Sequence, residues 1–102
     1  MRAAPLLLPL ALVASATACG GGGDSVAQHQ RYLWVQSCAE CHAIAEGKAS
    51  PNVAAKNLWD VHPGREQVRR AVIDGRPGMP KGLLGGDDVD AIAAYVVART
   101  KR

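Results

Sequence analysis

Residues 25–102 contain few large apolar side chains for a folded domain. There are 21 of them: nine Val, three Ile, four Leu, two Trp, two Tyr, one Met and no Phe. A globule of fewer than about 80 residues buries only about 60% of its unfolded surface, and it usually needs a disulfide, a metal, a cofactor or a partner to be stable. A large apolar cofactor would supply the missing core.

The N-terminal segment has the layout of an export signal. Arg2 precedes an apolar run over residues 3–14, and small residues follow at 15–18. Twelve helical residues extend about 18 Å, well short of a roughly 30 Å hydrocarbon core, and Pro5 and Pro9 interrupt them. We therefore predict that residues 1–18 are a signal peptide, removed on export, and not a membrane span.

Cys19 follows small residues and precedes four glycines. The run Ala16-Thr17-Ala18-Cys19 resembles the lipobox of bacterial lipoproteins, in which the cysteine becomes the lipidated N-terminus. The alternative is ordinary secretion, which would leave Cys19 as a free thiol in an oxidising compartment. We predict lipidation of Cys19, a Gly-rich tether over residues 19–25, and a folded domain over residues 26–102.

The net charge of the chain excludes few classes of binding partner. The whole chain has 12 Lys+Arg and 9 Asp+Glu, a net charge of +3, and cleavage after residue 18 removes Arg2 and leaves +2. This field is too weak to indicate nucleic acid or an anionic bilayer surface. We predict no nucleic-acid partner.

Three stretches have helical patterns, and no strand pattern of useful length is present. We predict helices over residues 26–39, over residues 63–74 with Gly75 ending the helix, and from an N-cap at Asp87 to the C-terminal basic residues. The last is the clearest, because its apolar residues recur at helical spacing: Val89, Ile92, Ala93 and Val96. The pattern favours an all-α domain.

The segment Cys38-Ala39-Glu40-Cys41-His42 is a Cys-x-x-Cys-His motif, which is typical of c-type haem attachment. A spacing of i, i+3 on a helix brings both sulfurs to one face, where they can form thioethers to haem, and His42 follows as the proximal iron ligand. The alternatives are a Cys38–Cys41 disulfide, a redox-active dithiol and half of a zinc site. A thioredoxin-like dithiol would follow a strand, and zinc would need a distant fourth ligand.

One motif predicts one haem, and the sixth iron position is then open or filled by His or Met. Once the signal peptide is removed, Met79 is the only methionine, in the loop Gly75-Arg76-Pro77-Gly78-Met79-Pro80. A lone Met is usually core filler, but a stiff loop of Gly and Pro is better suited to holding a sulfur at an iron. We predict Met79 as the distal ligand, with His62, His29 or an open position as alternatives.

Around this motif the chain resembles the small single-haem class I cytochromes c of bacteria. The resemblance is carried by residues 34–42, by Ser50-Pro51-Asn52, by residues 68–72 with Gly75 and Met79-Pro80, and by residues 92–97. Cys19 and the glycines after it make the chain similar to the membrane-anchored lipoprotein members.

The resemblance implies three or more short helices wrapped around one covalently attached haem c. It implies that the helices carrying Trp34 and Tyr95 cross and pack together. It also implies that the Pro51 carbonyl accepts the Nδ1–H of His42, which would fix the ring tautomer. Trp59 is the candidate for a contact with a haem propionate, and the alternative is that it is a core residue.

With His42 and Met79 on opposite faces of the haem, iron has no position for substrate, so we predict a one-electron carrier and not an enzyme. The alternative is a haem enzyme or ligand sensor with an open or His-ligated sixth position. Lys48, Arg76 and Lys81 are candidates for steering an acidic redox partner, or they are ordinary solubilising surface. The predicted location is the outer face of the cytoplasmic membrane or the periplasm, with a membrane oxidase or quinol-oxidising complex as partner.

Overall fold

The computed structural model describes residues 22–102, which form four helices joined by irregular loops. The helices are α1 (Gly22–Ser37), α2 (Leu58–Val61), α3 (Arg65–Asp74) and α4 (Asp87–Thr100). No helix within these residues is long and apolar enough to cross a bilayer. The predicted signal peptide, Cys19 and the first tether residues lie outside the described residues.

Helix α1 begins four residues before the predicted start at 26, so residues 22–25, predicted to belong to the tether, form its first turn. Its helical hydrogen bonding continues past Ser37, because the Cys38 N–H donates to the Trp34 carbonyl (2.9 Å) and the His42 N–H donates to the Cys38 carbonyl (2.9 Å). The haem-attachment motif therefore sits on one further turn at the C-terminal end of α1, as the i, i+3 spacing requires.

The sequence pattern did not predict α2, which is a single turn. Its N-cap is Asn57, whose side chain accepts a hydrogen bond from the Trp59 N–H at 3.0 Å. The helix ends at His62 in the left-handed conformation (φ 50°), immediately before Pro63.

The middle predicted helix is confirmed as α3, which starts two residues after Pro63 and ends at Asp74. The Gly75 N–H donates to the Ala71 carbonyl at 2.9 Å, so Gly75 ends this helix as expected. Val68 and Val72, one turn apart, are its buried residues.

Helix α4 is the centre of the fold, and it packs against α1, α2 and α3. Its buried residues follow the predicted helical spacing: Val89, Ile92, Ala93, Tyr95, Val96 and Thr100. The crossing with α1 is confirmed, since the Trp34 and Tyr95 ring centroids are 5.9 Å apart. The Tyr95 hydroxyl accepts a hydrogen bond from Arg99 at 2.8 Å.

The start of α4 differs by one residue from the prediction. Gly86, not Asp87, is the N-cap, and its φ of 58° is a conformation that glycine adopts without the strain imposed on other residues. Asp87 then lies in the first turn, where a carboxylate suits the positive end of the helix dipole. Asp88 in the same turn contacts His29 of α1 at 2.8 Å, which joins the two helices near their N-terminal ends.

Candidate haem site

The helices and loops enclose a cavity of about 580 Å³, within the range of about 300–1,000 Å³ for protein ligand pockets. One wall is apolar and is built by α3 and α4: Val68, Ala71, Val72, Ile92 and Val96. The motif residues Cys38, Cys41 and His42 lie along it, and Met79 lines it from the loop after α3. Four residues spread over 42 positions of sequence therefore line one cavity.

The two motif cysteines differ in their surroundings. Cys38 is buried, with 9% of its surface exposed, whereas Cys41 is half-buried, and no disulfide joins them. Burial, and in second place the neighbouring Cys41, raise the pKa of the Cys38 thiol to about 11. A catalytic dithiol needs a thiolate, and its pKa is usually lowered, so these surroundings do not favour a redox-active dithiol.

The ring of His42 is held by a backbone carbonyl, but not by the predicted one. Its Nδ1 is 2.7 Å from the carbonyl oxygen of Lys56, so the resemblance-based assignment of Pro51 to this contact is not what the structure has. Residues 50–52 are engaged differently: the Ser50 hydroxyl accepts the Ala43 N–H (3.1 Å), and Asn52 N–H donates to the Cys41 carbonyl (3.2 Å).

Asn57 explains why Lys56 occupies this place. The buried Asn57 amide donates to the carbonyls of Ala45 (2.7 Å) and Lys48 (2.8 Å), and so ties the loop after the motif to the start of α2. Leu58 N–H also donates to the Ala43 carbonyl at 2.9 Å. Residues 56–58 therefore run beside residues 42 and 43, and the Lys56 carbonyl faces the histidine ring.

Met79 is held in a tight reversal of the chain. The Arg76 N–H donates to the Met79 carbonyl (3.1 Å), and the Met79 N–H donates to the Arg76 carbonyl (2.7 Å). Gly75 makes the approach possible: its φ is +75°, and an added Cβ would lie 2.9 Å from both the Met79 oxygen and the Lys81 nitrogen. Met79 is partly buried and packs against the core. Its backbone is held by both hydrogen bonds with Arg76.

Trp59 does not line the cavity. The Arg102 guanidinium lies over its ring at 5.2 Å and donates a hydrogen bond to its carbonyl, so the ring is engaged by the C-terminal end of the chain. Two histidines considered as iron ligands are also outside the cavity: His62 is exposed at the end of α2, and His29 pairs with Asp88.

The residues present fit a covalently attached haem. Two thiols on one helical turn would attach the haem, the imidazole with its Nδ1 engaged and the thioether are groups that can bind iron, and the apolar wall would face the macrocycle. Among the described residues, no group of three or more His, Cys, Asp and Glu side chains is arranged to hold a bare metal ion.

Sequence reasoning missed the roles of Lys56 and Asn57. A signal for Asn57 was present, because Asn is a favoured N-cap and it stands directly before the apolar pair Leu58-Trp59. No signal marked Lys56, whose contribution to the histidine is a backbone atom.

An all-helical fold around a cavity lined by Cys-x-x-Cys-His and a methionine defines a small c-type cytochrome. Residues 25–96 match the family described as "Cytochrome C oxidase, cbb3-type, subunit III", and the chain belongs to this family. It is an electron-transfer haem protein with covalently bound haem c. The predicted all-α cytochrome c fold is confirmed.

The chain is similar to one solved structure along nearly the whole length of that structure. The crystal structure of the c-type cytochrome SorU from Sinorhizobium meliloti superposes with a TM-score of 0.62 at 30% sequence identity. The match covers 76% of this chain and 93% of that chain. A search of curated proteins found no match.

Proposed function

We propose that the protein is a one-electron carrier with a single haem c, attached through Cys38 and Cys41 and ligated by His42 and Met79. The observation that carries the proposal is that all four side chains line one cavity with an apolar wall. When bound, the haem supplies an Fe(III)/Fe(II) couple, for which an apolar pocket and a thioether ligand both favour the ferrous state.

The chain orients both ligands through its backbone. The Lys56 carbonyl can only accept a hydrogen bond, so Nδ1 of His42 carries the proton and Nε2 is the nitrogen left for iron. Met79 is fixed by its two hydrogen bonds with Arg76. Ligands held in place by the backbone would keep the reorganisation of the site on electron transfer small.

Outer-sphere transfer follows from this ligand pair. With His42 and Met79 both bound to iron, the haem would offer no coordination position to a substrate. The alternative function, a haem enzyme or sensor with an open or His-ligated position, has less support because Met79 lines the cavity, whereas His29 and His62 do not.

The proposed location is the outer face of the cytoplasmic membrane or the periplasm, with the lipidated Cys19 as anchor. The proposed partners are redox proteins in the same compartment, above all a membrane oxidase or a quinol-oxidising complex. The family description, which names a cbb3-type oxidase, supports an oxidase in this role. Lys48 and Lys81 are exposed and provide positive charge for an acidic partner.

The test is the optical spectrum of holoprotein produced in a host that matures c-type cytochromes. We expect a low-spin c-type spectrum in both redox states, with the weak far-red band of a ferric haem bound by Met. Met79→Leu keeps an apolar side chain of similar size and removes the sulfur, so it should abolish the far-red band and lower the midpoint potential. An unchanged band in Met79→Leu would refute this ligand.

Two matched controls address the alternative ligands. His62→Ala and His29→Ala should leave the spectrum and the potential as they are, because neither ring lines the cavity. A change to high-spin haem in either variant would assign the sixth position to that histidine. A wild-type holoprotein that is high-spin and binds carbon monoxide without losing a Met ligand would support the sensor or enzyme instead.

A further inference from the structure

The haem cavity has an uneven set of charged side chains. Among the residues that line it, Glu40 is the single acid, and the basic groups are His42, Lys56 and Arg76. Haem brings two propionate side chains, which are carboxylates at neutral pH. A carboxylate that enters a partly apolar cavity needs a cation or hydrogen-bond donors near it.

Arg76 is the group best prepared for this role. Its backbone N–H and carbonyl are both engaged with Met79, whereas its guanidinium makes no hydrogen bond or ion pair with any residue of the described part of the chain. Two arginines of α3 are already paired: Arg69 with Glu66 and Asp90, and Arg70 with Glu66. A guanidinium offers a planar pair of donors that matches a carboxylate.

We propose that Arg76 binds a propionate carboxylate of the haem and thereby positions Met79. The inference rests on the proposed function, since it requires the haem of that proposal. Arg76 is a positioning residue: its side chain pairs with the ligand's carboxylate, while its main chain closes the turn that carries the axial sulfur. Trp59, which the resemblance assigned to the propionate, is held under Arg102 outside the cavity.

The charge of Arg76 acts on the redox equilibrium in a known direction. A cation beside the haem disfavours the more positive ferric state, so its removal lowers the midpoint potential. It also favours the ionised propionate, so its removal raises the pKa of that carboxylic acid towards neutrality. The potential of the variant should then fall as pH rises through this pKa, because an ionised propionate stabilises ferric haem.

The experiment compares midpoint potentials of wild-type, Arg76→Gln and Arg76→Lys holoproteins between pH 5 and 8. We expect a flat profile for wild type. Arg76→Gln should have a lower midpoint potential, which falls further as pH rises with a slope of at most one proton per electron. Its far-red Met band should also be weaker. Arg76→Lys keeps the charge and should recover most of the potential.

Lys81→Ala is the matched control, because it removes a nearby exposed charge that does not line the cavity. It should leave the profile flat. The proposal is overturned if Arg76→Gln keeps the wild-type profile, if Lys81→Ala produces the same slope, or if Lys56→Ala alone produces it. Because Glu40 also lines the cavity, Glu40→Gln in the Arg76→Gln background should preserve the slope, and loss of the slope in this double variant would overturn the proposal.

Failure of the proposed function looks different from failure of this inference. A wild-type protein without covalent haem, or without the far-red band, refutes the carrier itself. A normal wild-type spectrum, together with an Arg76→Gln variant whose potential has the wild-type pH profile, refutes only the propionate contact.

Discussion

Substitution of Gly75 by alanine adds one methyl group and should lower the free energy of unfolding by a large amount. It ends α3, has φ +75° and ψ 174°, and lies where the chain turns back towards Met79. This region of backbone space is almost restricted to glycine, and a side chain there costs about 1–3 kcal/mol. A Cβ in Gly75→Ala would also meet backbone atoms at 2.9 Å, namely the Met79 oxygen and the Lys81 nitrogen.

The two costs act together, because backbone atoms cannot rotate away as a flexible side chain can. We expect Gly75→Ala to lower the free energy of unfolding by about 3 kcal/mol, the upper end of the backbone-strain range. At about 4–8 °C per kcal/mol for a domain of this size, the melting temperature falls by roughly 12–24 °C. Relief of the contact must move the Met79 carbonyl, so the far-red Met band of the ferric protein should weaken as well.

The matched control is Gly47→Ala. Gly47 has nearly the same φ, +73°, but nothing lies within 4 Å of an added Cβ. It therefore tests the cost of a positive φ without the collision, and the gain from restricting the unfolded chain is similar at both positions. Thermal and guanidinium unfolding of ferric holoprotein measure the difference. A Gly75→Ala protein that is as stable as Gly47→Ala and has an unchanged Met band would refute the close contact between residue 75 and the backbone of Met79 and Lys81.

Three further predictions concern the loop beside the motif and the anchor. Asn57→Ala removes an N-cap and the buried amide that donates to two backbone carbonyls, and urea unfolding should show a loss of about 2–3 kcal/mol, together with a lower potential from a less firmly held His42. Pro51→Ala should leave the potential unchanged in potentiometry, since the Lys56 carbonyl, and not residue 51, accepts from His42; a clear shift would show that the loop at residue 51 takes part in holding the histidine. Cys19→Ala should release the protein from membranes on fractionation, and continued attachment would count against lipidation.

Patterns of side chains predicted the helices well where one face is apolar. Val89, Ile92 and Val96 recur at helical spacing because α4 must bury one stripe against α1 and α3, and that stripe is what the structure has. Helix α2 escaped prediction because a single turn is too short for a periodic pattern. It is held by Asn57 and by its contacts with α4.

The groups that line the cavity divide in the same way. Thiols, an imidazole and a thioether are rare chemical types, so Cys38, Cys41, His42 and Met79 could be recognised from their identity and spacing alone, and all four line the cavity.

The contacts that orient these groups are of another kind. A backbone carbonyl is present at every residue, so nothing in the sequence distinguishes Lys56 from Pro51 as the acceptor for His42. Lys56 is the acceptor because the hydrogen bonds of the Asn57 amide hold the chain beside the motif. In the same way, the type of residue at 59 suits a propionate contact, but the ring lies under Arg102 because the C-terminal end of α4 reaches α2. Residue type thus predicts which groups can react, whereas the positions of the groups that hold them follow from long-range packing and must be read from the fold.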